Sequence, residues 1–223
     1  MSSSRDRPLR EWYEALLAAY GPQGWWPGDN RTEVILGAIL TQNTNWRNVE
    51  KALVQLRQAG LIDWQALREV PVARLAELIR PAGYFNVKAQ RLKNFVDWLW
   101  RRYEGRLEAL LAVPLDRLRE ALLEVKGIGP ETADSILLYA LARPSFVVDA
   151  YTRRLAVRHG LAAKDDADYE KLKAIFEAEL PRETALFNEY HALIVAVGKR
   201  HCGPSARCEG CPLSGFPHDA EAF

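Results

Sequence analysis

Two glycines separated by one residue and followed by a proline form the most constrained point of this chain. Gly127 and Gly129 flank Ile128, and Pro130 begins an apolar run with helical spacing. Because proline is favoured at the first position of a helix, these residues predict a tight turn that opens a helix. Glycines leave the backbone amides of such a turn accessible to an anion such as a phosphate group. Lys126, just before the turn, is expected to face the same anion.

The rest of the chain also has helical periodicity, interrupted by glycine and proline. Apolar residues recur every three or four positions, which is typical of helices with one buried face. Val147 and Val148 are the only pair typical of a strand, and the pair is too short for a sheet. The sequence therefore predicts an all-α protein with helices at 9–20, 32–41, 46–57, 64–69, 72–79, 87–102, 115–125, 130–141, 152–159, 168–180 and 184–199.

Composition excludes several classes of protein. A chain of 223 residues with 48% hydrophobic residues can bury one core or two small ones, so disorder is excluded. No apolar run approaches the roughly 18 residues of a membrane span, and the charged first residues do not form a signal peptide. We therefore expect a cytoplasmic protein. The formal net charge of +1 neither indicates nor excludes a nucleic-acid partner.

Further motifs accompany the glycine turn. They are LTQNT at 40–44, GYFNVKAQRL at 83–92, VVDAYTRRL at 147–155 and a cysteine cluster near the C-terminus. Together with LEVKGIGPETAD at 123–134, they resemble the helix-hairpin-helix DNA glycosylases of the endonuclease III type, over about residues 31–211. Within that superfamily, WWP at 25–27 and the aromatic Trp46 after LTQNT are most similar to the 3-methyladenine DNA glycosylase III branch.

The resemblance implies a two-lobed helix-hairpin-helix DNA glycosylase fold with a small cysteine-rich C-terminal loop. A six-helix barrel domain with the hairpin would span 31–135, a second helical domain 1–30 and 136–198, and the cysteine-bearing loop and tail 199–223. The implied partner is damaged double-stranded DNA of the bacterial nucleoid, gripped by the hairpin at 126–129. The protein would act as a monomer that flips the target nucleotide into the cleft between its lobes.

Asp149 carries the predicted chemistry. It follows an apolar pair and precedes Tyr151 and Thr152, a context that also suits a helix N-cap. Hydrolysis of an N-glycosidic bond passes through a sugar with oxocarbenium character. A nearby carboxylate can stabilise that charge and orient or deprotonate the attacking water. The resemblance makes Asp149 the catalytic aspartate, and the capping role can coexist with it.

Glu131 is the main departure from the endonuclease III pattern. It occupies the position where the bifunctional enzymes carry a lysine that attacks the sugar and forms a Schiff base. Glutamate has no nitrogen for an imine, so we expect a monofunctional glycosylase that leaves the strand intact. Glu131 would then join Asp149 in the catalytic site by shaping the pocket. The simpler interpretation is a carboxylate that complements the helix dipole.

The predicted pocket for the target base is aromatic. Trp25 and Trp26 lie in a loop with Pro27, where two adjacent indoles cannot both point into one core. Alkylated purines such as 3-methyladenine carry a positive charge, and indole rings attract cations. The three indoles of Trp25, Trp26 and Trp46 would sandwich the base, and Pro27 would line the pocket. Gln42 would fill the gap left by the flipped nucleotide, although it also suits an ordinary helix C-terminus.

The cysteine cluster is a second departure. Cys202, Cys208 and Cys211 are spaced much like three of the four cysteines that bind the [4Fe–4S] cluster of endonuclease III, but the fourth is absent. His218 is the obvious substitute ligand, and His201 is a weaker one. Three interpretations stay open: an iron–sulfur cluster with a histidine or labile fourth ligand, a Cys3His zinc site, and an empty loop.

The leading functional hypothesis is a monofunctional glycosylase of base excision repair that removes alkylated purines, chiefly 3-methyladenine. One alternative is a glycosylase of the same fold for oxidised pyrimidines or for mismatched thymine or uracil. Another is a catalytically silent protein that binds damaged DNA. Structural roles are expected for the remaining notable residues: core positions for Trp12, Trp64, Trp98 and Trp100, a solvated helix face for Lys88 and Arg91, and helix packing for His159 and His191.

Overall fold

The protein is described here from a computed structural model, which places residues 8–25, 28 and 30–223. Trp26 and Pro27, two of the residues assigned to the base pocket, lie outside the described residues. In chain order the α-helices are α1 (Leu9–Tyr20), α2 (Arg31–Leu40), α3 (Trp46–Gln58), α4 (Trp64–Glu69), α5 (Val72–Leu78), α6 (Phe85–Tyr103), α7 (Leu115–Leu123), α8 (Pro130–Ser135), α9 (Ala150–Arg158), α10 (Tyr169–Glu179) and α11 (Thr184–Arg200).

Shorter helical segments complete the secondary structure. Arg80–Ala82 and Leu107–Ala112 are 3₁₀-helical, and Ile136–Ala140 continues α8 as a π-helix. Residues 8–25, 28 and 30–223 contain no strand, only an isolated bridge between Cys202 and Ala206. The predicted all-α class is therefore confirmed. None of the described helices is long and apolar enough to cross a membrane.

The chain divides into two compact units. The central unit is Trp26–Arg143, with α2 to α8, and the terminal unit combines Met1–Trp25 with Pro144–Phe223, with α1 and α9 to α11. The domain limits that the resemblance implies stay predictions.

The helix starts follow from local sequence. Side-chain oxygens of Asn30, Asn45 and Asp63 accept hydrogen bonds from backbone amides at the starts of α2, α3 and α4. These caps satisfy amides that have no partner in the first turn. The predicted helices are present with ends shifted by at most two residues, except that the helix predicted at 130–141 is α-helical only over Pro130–Ser135 and continues as the π-helix Ile136–Ala140. The 3₁₀ segment Leu107–Ala112 was missed, because its LEALLA sequence has no turn residues to identify it.

Helix α2 forms the middle of the core of the central unit. Ile35 and Ile39 have no exposed surface, as expected for a helix that is apolar almost all round. Its first turn nevertheless buries Glu33, which accepts hydrogen bonds from Nε and Nη2 of Arg57 at 2.9 and 2.7 Å. Three of the four tryptophans expected in the core are buried, namely Trp12, Trp64 and Trp98. The fourth, Trp100, is half-buried.

Candidate active site and DNA-binding hairpin

The glycine turn joins α7 to α8 in the central unit. Gly127 has a φ of +97°, a backbone conformation that residues with a Cβ rarely adopt. A Cβ at this position would also overlap the side chain of Arg91. Ile128 is buried, and its N–H donates to a carbonyl of the preceding turn at 2.9 Å, so it anchors the turn in the core. Lys126 and Gly129 are exposed, which leaves this side of the turn open to a ligand.

Gln42 is tied to this turn by its whole amide group. Its Nε2 donates to the carbonyl of Gly127 at 3.1 Å and to Oγ1 of Thr132 at 2.9 Å. Its Oε1 accepts a hydrogen bond from Arg91. Both amide hydrogens are therefore used. The wedge role of Gln42 stays a prediction, and it requires the side chain to leave these partners when it enters DNA.

Lys88 is buried, so the expectation of a solvated face was wrong for this residue. It is 1% exposed, and its Nζ donates to the carbonyls of Leu40 at 2.8 Å and Ala82 at 2.7 Å. Burial and, to a smaller extent, the charge of Arg91 lower the pKa of Lys88 to about 8. Lys88 thereby joins the end of α2 to the 3₁₀ turn before α6. Helical periodicity alone does not show how far a lysine side chain reaches.

A buried ion pair holds the two helices of the hairpin together. The carboxylate of Asp134 in α8 has no exposed surface and accepts from Nε of Arg119 in α7 at 2.9 Å and from Nη2 at 3.0 Å. Two parallel bonds between a guanidinium and a carboxylate fix both distance and orientation. This pair therefore links α7 and α8 on either side of the turn.

Asp149 caps α9 in the terminal unit. Its Oδ1 accepts hydrogen bonds from the backbone N–H of Thr152 at 2.8 Å and from its Oγ1 at 3.0 Å. Its Oδ2 lies 3.6 Å from Nε2 of His191, and its side chain is 15% exposed. The predicted N-cap is therefore present. The hydrogen bonds to Oδ1 fix the orientation of the carboxylate, whereas Oδ2 takes no part in the cap.

His191 of α11 lies beside the carboxylate of Asp149. Burial lowers the pKa of His191, while the nearby carboxylate of Asp149 acts in the opposite direction. The imidazole is therefore neutral at pH 7, and it does not cancel the charge of Asp149. The structural role expected for His191 fits its burial. Its contact with Asp149 could not be predicted from the sequence, because the two residues are far apart along the chain.

The segment that leads to Asp149 is fixed by α10. The N–H of Phe146 donates to Oε1 of Glu177 at 2.8 Å, and Nζ of Lys173 donates to Oγ of Ser145 at 2.8 Å. Lys173 also pairs with Glu177. These buried groups hold the backbone just before the catalytic candidate, as a positioned acid requires.

The aromatic candidates have different surroundings. Trp25 is half-buried in the terminal unit, and the ammonium of Lys199 lies 5.9 Å from the centre of its ring. Trp46 is half-buried in the central unit, and its Nε1 donates to Oε1 of Glu50 at 2.8 Å. Trp46 lines an open cavity together with Glu50. Glu131, on the first turn of α8, is exposed.

The fold, the hairpin and the capped aspartate lead to one family. The sequence profile of the HhH-GPD superfamily of base excision DNA repair proteins matches residues 36–182. The chain belongs to this superfamily. It is a DNA glycosylase of base excision repair, and the resemblance seen in the sequence is confirmed.

Individual relatives within the HhH-GPD superfamily are similar over nearly the whole chain. A Methanocaldococcus jannaschii protein provisionally named as a DNA repair glycosylase, MJ1434, is 45% identical over 97% of this chain and 98% of its own length. The structure of the H. pylori 3-methyladenine DNA glycosylase MagIII bound to 1,N6-ethenoadenine matches with a TM-score of 0.73 and 30% identity, over 86% of this chain and 97% of that one. The structure of an endonuclease III–DNA complex matches with a TM-score of 0.80 and 22% identity, over 94% of this chain and 93% of that one. At this level of identity the match shows a shared fold only.

The cysteine loop of this glycosylase lines a single cavity. Cys202, Cys208 and Cys211 face it together with His201 and His218. Burial raises the pKa of Cys211, and the two neighbouring thiols raise it as well. Among the described residues, no group of three or more His, Cys, Asp or Glu side chains is placed to hold a metal ion. The metal site and the identity of its metal therefore stay predictions.

The ligands of a [4Fe–4S] cluster lie farther apart than those of a single metal ion, because the cluster is larger. Two contacts in the cysteine loop are relevant to whether these residues fit a cluster. Nη1 of Arg158 lies 3.3 Å from Sγ of Cys202, a donor of the kind that stabilises cluster thiolates. Nδ1 of His218 lies 2.9 Å from the carbonyl of Phe216, which leaves Nε2 for a ligand when Nδ1 carries the proton. Elemental analysis for iron and zinc decides between a cluster, a zinc site and an empty loop.

Tyr84 is a surface feature that the sequence reasoning missed. This residue is 72% exposed and has a φ of +45°, which is uncommon for a residue with a bulky side chain. It directly precedes α6 and lies two residues beyond Ala82, which Lys88 joins to the end of α2. An aromatic ring is thus exposed to solvent at the start of α6. The only indication in the sequence was that Tyr84 follows Gly83, a residue typical of turns.

Proposed function

We propose that this glycosylase is monofunctional and hydrolyses the N-glycosidic bond of alkylated purines, chiefly 3-methyladenine. The observation that carries the proposal is the oriented carboxylate of Asp149, of which one oxygen caps α9 and the other is held next to a neutral imidazole. The 30% identity to a 3-methyladenine DNA glycosylase supports the choice of substrate.

Asp149 supplies the charge that the reaction needs. As the bond to the base breaks, positive charge develops on the sugar, and a fixed carboxylate stabilises it without reorganisation. The same group orients or deprotonates the attacking water. Burial lowers the pKa of His191, so no cationic imidazole stands beside the carboxylate of Asp149 to oppose positive charge on the sugar.

The aromatic residues recognise the base by its charge. Indole rings attract a cationic purine by about 1–2 kcal/mol when water is excluded. A cationic base is already a good leaving group, so stacking and one carboxylate suffice, and no strong general acid is needed.

The hairpin provides the grip on DNA. Lys126 and Gly129 are exposed on a turn that the buried Ile128 and the Arg119–Asp134 pair hold rigid. Backbone amides and one lysine at such a turn suit a phosphate group. A phosphate contact does not depend on the base sequence of the DNA, and a repair enzyme that scans DNA for damage requires such a contact.

Base release tests the substrate. We expect the purified protein to release 3-methyladenine and 7-methylguanine from DNA treated with dimethyl sulfate, measured by chromatography against DNA incubated without protein. Duplex oligonucleotides that carry an oxidised pyrimidine, uracil or a mismatched thymine are tested in parallel, and release of these bases alone would favour the alternative glycosylase. Binding to damaged duplexes without any base release would favour a silent binder.

Borohydride trapping tests the monofunctional mechanism. Because Glu131 has no amine, we expect no covalent protein–DNA complex when the enzyme, damaged duplex and borohydride are incubated together and resolved on a denaturing gel. Endonuclease III with its own substrate is the positive control. An efficiently trapped complex would show that another lysine of this chain attacks the sugar, and the mechanism would then be wrong.

A further inference from the structure

The cavity beside Trp46 has an acidic lining. It has a volume of about 400 Å³, is open to solvent, and lies within the central unit. Its charged lining residues are Glu33, Glu50 and Arg57. Two carboxylates and one guanidinium leave the wall of the cavity with a formal charge of −1.

The negative charge of the cavity wall lies at one end of the cavity. Glu33 is 3% exposed and is bound by two nitrogens of Arg57, so these two charges compensate each other at the other end. Glu50 is exposed, and its Oε1 accepts the indole N–H of Trp46. The remaining negative charge of the cavity wall is thus placed at the edge of the aromatic ring.

The bond between Trp46 and Glu50 has two physical effects. The residues are four apart on α3, so they share one face of the helix, and the bond fixes the direction of the indole plane. It also brings a full negative charge next to a π-system whose face already attracts cations. Phenylalanine at position 46 could not hold the carboxylate in this way, because its ring has no hydrogen-bond donor.

We propose that Glu50 is a specificity-determining residue that makes the Trp46 cavity select purines with a formal positive charge over neutral damaged purines. This inference rests on the proposed removal of alkylated purines and deepens it. A base stacked on Trp46 lies within a few ångströms of the carboxylate, where a cation is attracted and a neutral base is not. Stacking on the indole already favours a cation, and the carboxylate adds to this preference because it attracts only the charged base.

Glu50→Gln separates charge from geometry. The amide oxygen of glutamine can still accept the N–H of Trp46, so the indole keeps its orientation while the charge is lost. We expect kcat/KM for cationic 7-methylguanine in duplex DNA to fall about 5-fold, and kcat/KM for neutral 1,N6-ethenoadenine to stay within about 2-fold. The measured quantity is kcat/KM for 7-methylguanine divided by kcat/KM for 1,N6-ethenoadenine, determined for each variant and compared with the same ratio for the wild-type protein.

Two further variants complete the experiment. Glu77→Gln changes the net charge by the same amount at an exposed residue of α5, so any general gain in DNA affinity appears there too. Trp46→Phe keeps an aromatic face but releases Glu50, and we expect it to lower the ratio in the same direction. An unchanged ratio in Glu50→Gln would overturn the inference. Failure of the wild-type protein to release any alkylated purine would instead refute the proposed function.

Discussion

Asp149→Asn is expected to lower the rate of alkylpurine release by about 10³-fold. Asparagine is neutral, so it neither stabilises positive charge on the sugar nor accepts a proton from water. It remains one of the best N-cap residues, and its side-chain oxygen can still accept from the backbone N–H of Thr152. The loss is therefore one of chemistry and not of folding. Single-turnover release of 7-methylguanine measures it.

The chain offers a matched control for this substitution. Asp168 caps α10 with the same geometry, accepting from the backbone N–H of Lys171 at 2.9 Å. Asp168→Asn therefore makes the same change at a cap outside the candidate site, and we expect release within about 2-fold of wild type. Equal loss in both variants would assign the effect to helix capping. Full activity of Asp149→Asn would leave another group as the source of catalysis.

Asp149 could be found from sequence because both of its roles are local. The apolar pair before it and Thr152 after it predict a cap, and the family motif around it predicts the chemistry. His191 could not be found in this way. Its contact with Asp149 joins α11 to the start of α9, and no periodic pattern links residues so far apart. The same holds for the contact between Gln42 and Gly127.

Long polar side chains account for the other differences between sequence and structure. Lys88 was expected in solvent, but its ammonium satisfies the carbonyls of Leu40 and Ala82, which would otherwise be buried without a donor. Glu50 was not identified at all, because a glutamate on the exposed side of a helix is unremarkable until its indole partner is known. Helix positions follow from apolar periodicity, whereas the end of a flexible side chain is set by partners that only the fold brings close.

Arg119→Met is expected to destabilise the protein by about 3–5 kcal/mol. The substitution leaves the carboxylate of Asp134, which has no exposed surface, without its guanidinium partner. A buried charge that loses its counter-charge keeps the full cost of its desolvation. The shift in thermal midpoint, followed by circular dichroism, should be about 10 °C for a chain of this size.

Arg117→Met is the control for this change. Arg117 is two residues earlier on α7, is largely exposed and pairs with the equally exposed Glu120, so its loss should cost less than about 1 kcal/mol. The double variant Arg119→Met/Asp134→Leu removes both buried charges and should recover much of the lost stability. If the double variant is as stable as wild type but binds duplex DNA more weakly, the ion pair serves to orient the hairpin. Equal stability of Arg119→Met and Arg117→Met would show that the pair does not hold α7 and α8 together.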